Sequence, residues 1–79
     1  MHITAKLFAT LRKYRQELSL GEALTLEVPA GTTLGEAIRQ LGIPDGAPLV
    51  TMVNNMVRKQ DHVLSDGDRL ALFPPVAGG

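Results

Sequence analysis

The chain has no cysteine in its 79 residues. That removes disulfides, thiolate nucleophiles, zinc–thiolate sites and iron–sulfur clusters together. It has two histidines, His2 and His62. Each stands alone, without an acidic or histidine neighbour at ligand spacing, so each reads as a surface residue. Neither sign of charge dominates, since eight Lys and Arg balance eight Asp and Glu. There is no basic run, which argues against nucleic acid or an anionic membrane surface as partner. No apolar stretch is long enough to span a bilayer, and Met1 opens no signal-peptide pattern. A cytoplasmic location is the expectation. The nucleophile elbow, the Walker loop and the GxGxxG turn are absent as well.

The 44% apolar and 20% charged residues describe a globular chain and not a disordered one. Its length allows one domain with a thin core.

Strand and helix patterns alternate along it. In HITAKLFA, residues 2–9, Ile3, Ala5 and Leu7 point one way and Thr4, Lys6 and Phe8 the other, which predicts a strand on a core. A short helix or helical turn follows, with Leu11, Tyr14 and Leu18 on one side, until Gly21 breaks it. ALTLEV, residues 23–28, alternates again and stops at Pro29. Thr33 and Glu36 have the spacing of a capping box. Behind them Leu34, Ala37, Ile38 and Leu41 form one apolar stripe. Gly42 fits the position just past the helix end, and Pro44 blocks continuation. Gly35, in the first turn, permits close packing there. LVTMVN, residues 49–54, is nearly continuously apolar and predicts a central strand buried on both faces. Asn54-Asn55 suits a tight turn into a short strand, Met56 to Arg58. Asp66-Gly67 tips a second turn before the last strand, RLALF. There Leu70 and Leu72 face one way, and Ala71 and Phe73 the other.

The order β, short α, β, α, β, β, β predicts an α+β fold of the β-grasp, ubiquitin-like kind. It has a mixed sheet of about five strands with one main helix across one face. The domain spans residues 1–73, and residues 74–79 form an extended tail.

That tail, with the residue before it, reads FPPVAGG. Pro74 and Pro75 cannot donate to a ladder and favour the polyproline conformation, so they end the last strand. Six extended residues reach up to roughly 20 Å. Gly78 and Gly79 have no side chain and fit a narrow channel. On alternation Phe73 either closes a small cluster with Phe8 or stays exposed and anchors a partner. Phe8, Phe73, Pro75 and Val76 would mark an interface if they formed one exposed patch. Arg12, Lys13, Arg58, Lys59 and Arg69 read as solvated charges, some of which could meet acidic groups on a partner.

LFATLRKY, VNNMV, DHVLSDGDRLALF and above all the terminal PPVAGG resemble the MoaD/ThiS family of ubiquitin-like sulfur carriers. The resemblance covers essentially the whole chain. The LFATLR start and the FPPVAGG end are most similar to the small subunits of molybdopterin synthases.

The resemblance implies a mechanism. A partner like ubiquitin-activating enzymes, using ATP and magnesium, adenylates the Gly79 carboxyl. Sulfur from a persulfide source displaces the adenylate and leaves a thiocarboxylate. The tail, with Phe73, Pro74, Pro75, Val76, Ala77 and Phe8 as partner-binding residues and Gly78 as the necessary neighbour of Gly79, enters a large synthase subunit. Sulfur passes there to a pterin precursor of the molybdenum or tungsten cofactor. The chain binds no cofactor or metal of its own and is a non-catalytic, sulfur-donating subunit. Two further readings share the adenylation step. One is a carrier for another acceptor, such as thiazole, a thionucleoside or an amino acid. The other is a protein modifier joined through Gly79 to lysines.

Overall fold

The computed structural model describes residues 1–17 and 21–75. Five strands form one sheet: β1 His2–Leu7, β2 Leu24–Glu27, β3 Val50–Val53, β4 Met56–Val57 and β5 Arg69–Phe73. Their order across the sheet is β2-β1-β5-β3-β4. β1 and β5 run parallel at the centre, and every other pairing is antiparallel. The sheet is therefore mixed and five-stranded, as the element order predicts.

One face of the sheet carries the core. Ile3, Ala5 and Leu7 of β1, Leu26 of β2, Val53 of β3, and Leu70 and Leu72 of β5 are buried in a single cluster. The helix α1, Leu34–Gln40, supplies Leu34, Ala37 and Ile38 to the same cluster, with Leu41 and Ile43 behind them. Truncating a fully enclosed residue such as Leu34 costs about 2–5 kcal/mol.

The helix starts where the capping box predicts. The Glu36 amide donates to Thr33 Oγ1 at 3.2 Å, and the Thr33 amide donates to Glu36 Oε1 at 3.0 Å. Two more orphan amides find carbonyls in the loop before β5. Leu34 N–H donates to His62 and Gly35 N–H to Gln60. That docking explains Gly35, since a β-carbon there would lie 3.2 Å from Gln60 Cβ and 3.3 Å from its carbonyl oxygen. Gly42, with φ of 88°, ends the helix in the left-handed conformation.

Three readings shift. The first helical segment is a 3-10 helix, Ala9–Arg15, which buries Leu11 and packs Tyr14 against the core. Leu18, expected on the same side, lies outside the described residues. β4 is two residues long, so Arg58 stands outside it. The largest correction concerns LVTMVN. It is not a central strand buried on both faces. β5 takes the centre, and β3 is second from the edge with Thr51 and Val53 buried and Val50 exposed. Among the described residues, the sheet has a covering layer on one side only, so this apolar run is not buried on both faces.

The far end of the sheet is tied by side chains. Asn54 and Asn55 form the hairpin turn with φ of 51° and 69°. Asn54 Nδ2 donates to Asp68 Oδ1 at 2.9 Å, and Asn54 Oδ1 accepts from the Arg69 amide at 3.0 Å. Asp68, itself buried, also accepts from the Ser65 amide at 2.8 Å. The His2 amide donates to Asp66 Oδ1 at 2.7 Å, which fixes the start of β1 beside the second turn.

Candidate functional site

Two parallel strands finish at the same end of a sheet. β1 and β5 do so with Leu7 opposite Leu72, and the Phe8 amide extends their ladder by donating to the Leu72 carbonyl at 3.0 Å. The next pair of side chains is Phe8 and Phe73. Their rings stack with centroids 4.4 Å apart and planes 12° from parallel, an arrangement that stabilises beyond the area it buries. Both residues remain half-buried. The two alternatives for Phe73 thus merge: it closes a cluster with Phe8, and that cluster stays open to a partner.

From this pair the chains diverge. Ala9, with φ of 52°, reverses the first into the 3-10 helix, where Leu11 N–H donates to the Phe8 carbonyl at 3.1 Å. The second leaves through Pro74, half-buried, and Pro75, exposed, both beyond the end of β5. Val76, Ala77, Gly78 and Gly79 lie outside the described residues. The root of the tail is thus the aromatic pair.

The aromatic pair sits at one corner of a larger apolar surface. Among the described residues, no element covers the side of the sheet away from α1. The register aligns Lys6, Ala71, Met52 and Val57 in one row across four strands. The next row holds Phe73 and Val50. Val57 and Val50 are 69% and 38% exposed, high for branched apolar residues. Lys6, Phe8, Met52, Arg69, Ala71 and Phe73 help line a shallow groove of about 290 Å³ on this face.

Met52, Val50 and Val57 were not among the sequence candidates. Reading LVTMVN as buried on both sides hid Met52 and Val50, and Val57 lies in the short strand after it. The alternation of β5 already placed Ala71 beside Phe73, and pairing β3 to β5 brings Met52 and Val50 alongside. Pro75 is exposed next to the patch, whereas Val76, its expected fourth member, falls outside the described residues.

The chemistry available here is adhesive. Among the described residues, no group of three or more His, Cys, Asp or Glu could hold a metal ion. His2 lies at the other end of the sheet, 3.7 Å from Glu27 across strands and largely exposed. The Glu36 carboxylate is held below the ordinary glutamate range by the Thr33 amide and then the Thr33 hydroxyl. It caps the helix and takes no part in this face. No helix among the described residues is long and apolar enough to cross a membrane.

Comparison with known proteins gives a consistent set. The model of the ThiS family matches residues 5–79. The molybdopterin synthase sulfur carrier subunit of Escherichia coli (strain K12) is 41% identical over 63 residues, covering 67% of this chain and 76% of the relative. The crystal structure of the small archaeal modifier protein 1 of Haloferax volcanii superposes with a TM-score of 0.77 at 26% identity, over 95% of this chain and 98% of that one. Subunit 1 of the molybdopterin-converting factor of Helicobacter pylori 26695 was solved in complex with subunit 2. That structure matches at a TM-score of 0.64 with 21% identity over the whole of both chains, a likeness of fold.

Proposed function

The chain belongs to the ThiS family of ubiquitin-like sulfur carriers, and from that premise we propose that it is the sulfur carrier subunit of a molybdopterin synthase. The Gly79 carboxylate is the reactive group. A carboxylate is a poor electrophile, so a ubiquitin-activating-like enzyme first joins it to AMP, consuming ATP with magnesium and releasing pyrophosphate. A persulfide's outer sulfur then attacks the carbonyl carbon and AMP leaves, giving an acyl disulfide. A thiol of the sulfur-supplying partner cleaves its S–S bond, becoming a disulfide and releasing the thiocarboxylate. The large synthase subunit takes up the charged tail and passes its sulfur to a pterin precursor. This chemistry belongs in the cytoplasm, where ATP is plentiful.

One observation carries the reading. The stacked Phe8–Phe73 pair puts an uncovered apolar sheet face directly at the root of the tail. A partner that covers this face holds the tail at a set origin, and Pro74 and Pro75 give it a stiff start. Docking and delivery are then one event.

The relation to a small archaeal modifier protein supports a second reading, conjugation of Gly79 to target lysines. Both readings need adenylation and part after it. The test is intact mass after incubation with a family adenylating enzyme, ATP, magnesium and a persulfide donor. A gain equal to exchanging one oxygen for sulfur is expected, and a chain lacking Gly79 gains nothing. Lysine-linked adducts in cell extract, without that sulfur exchange, would establish the modifier instead.

A further inference from the structure

The open sheet face is apolar at one end and cationic along its middle. Pairing registers place Thr4 opposite Arg69 and Lys6 opposite Ala71 on the parallel central strands. Lys6 and Arg69 are therefore diagonal neighbours on the outward face, both exposed and both lining the groove. Among the described residues, no carboxylate lines that groove. Among the outward strand positions the one acid is Glu27, on the edge strand, which sits opposite His2. Among the described residues neither Lys6 nor Arg69 has an ion-pair partner, while Arg15 and Arg39 each have one.

We infer that the partner surface covering this groove carries carboxylate side chains facing Lys6 and Arg69, beside apolar groups facing Phe8, Met52, Ala71 and Phe73; this rests on the docking role proposed above. Two like charges side by side repel, and covering them with an uncharged surface would strip their water without return. An acidic partner relieves both costs and steers the encounter. The aromatic and apolar residues then supply holding energy, and the cationic pair supplies partner choice. The backbone of Arg69 is fixed by the Asn54 side chain, so this charge starts from a defined origin.

The test uses the full chain and the purified large synthase subunit from the same source, with affinity measured at low salt and at about 0.5 M NaCl. Wild type is expected to weaken about tenfold across that range. Lys6→Gln/Arg69→Gln should lose most of that salt dependence. Lys6→Glu/Arg69→Glu should bind about a hundredfold more weakly at low salt. Thermal melts check folding, which these exposed positions should leave intact. Phe73→Ala serves as the docking control. If wild type binds, Phe73→Ala weakens it and both charge variants match wild type at every salt concentration, the inference is overturned and the docking role stands. Tighter binding by the reversed variant overturns it too. If wild type does not bind the subunit at all, the docking reading fails and this inference falls with it.

Discussion

Phe8 and Phe73 lie sixty-five residues apart in sequence and stack at 4.4 Å, at the point where the tail leaves the sheet. Neither ring is fully buried. A stacked pair held half in solvent adds modestly to the stability of the free chain and offers more to a partner. Phe73→Ala should therefore separate two quantities. The cost to folding is expected at about 1–2 kcal/mol, below the 3–5 kcal/mol of a fully enclosed phenylalanine. The loss of affinity for the large subunit is expected to exceed 2 kcal/mol, as at the centre of an interface. Urea melts and calorimetric titration of the same variant measure both. A large folding cost with unchanged affinity would mean that the pair is only core.

Ala9 adopts φ of 52° directly behind Phe8. For an alanine that conformation costs about 1–2 kcal/mol. Glycine removes the cost and adds unfolded-state entropy of about 0.4–1 kcal/mol. Ala9→Gly is expected to raise stability by about 0.5–1 kcal/mol, whereas Ala9→Val lowers it. Denaturant midpoints for the two variants decide this. Destabilisation by glycine would contradict the strain.

Asn54 does two jobs that one substitution can separate. It takes the left-handed conformation of the turn, and its amide bridges Asp68 and Arg69. Asn54→Gly keeps the turn and loses the bridge, leaving part of buried Asp68 without its donor, for a cost of about 1–3 kcal/mol. Asn54→Ala loses the bridge and also strains the turn, so it should cost about 1 kcal/mol more. Equal stability of the two variants would show that the turn conformation contributes nothing.

Glu36 sets an acid-side prediction. Its carboxylate is held below the ordinary glutamate range by the Thr33 amide first, then by the Thr33 hydroxyl, with Arg39 adding a weaker attraction. A lowered folded-state pKa means that the unfolded chain binds the proton more readily. The stabilisation is therefore full above the ordinary glutamate range and is lost as pH falls through the lowered value. Glu36→Gln should lower stability at neutral pH and flatten its decline in acid. Melting temperature followed from pH 7 downward in both proteins measures this. Parallel curves would remove the capping box as a source of acid sensitivity.

Local signals in the chain were sufficient for much of this protein. The T-x-x-E spacing of Thr33 and Glu36 specifies the helix start because the capping box closes within four residues. Alternation in HITAKL and RLALF sorts Ile3, Ala5, Leu70 and Leu72 from Lys6, Ala71 and Phe73 because a strand repeats every two residues. Asn54-Asn55 marks its turn because few residues tolerate a positive φ. The PPVAGG ending resembles the tails of the MoaD/ThiS carriers, and membership of the ThiS family rests on the match over residues 5–79. Adjacency was another matter. No local pattern says that β1 and β5 run side by side and parallel, that β3 lies second from the edge, or that one sheet face is left uncovered by the described residues. Those depend on how a thin core closes over a single helix. That closure alone stacked Phe8 on Phe73, exposed Val50, left Met52 half-buried on the outward face, and brought Lys6 and Arg69 into one groove that no acid among the described residues lines.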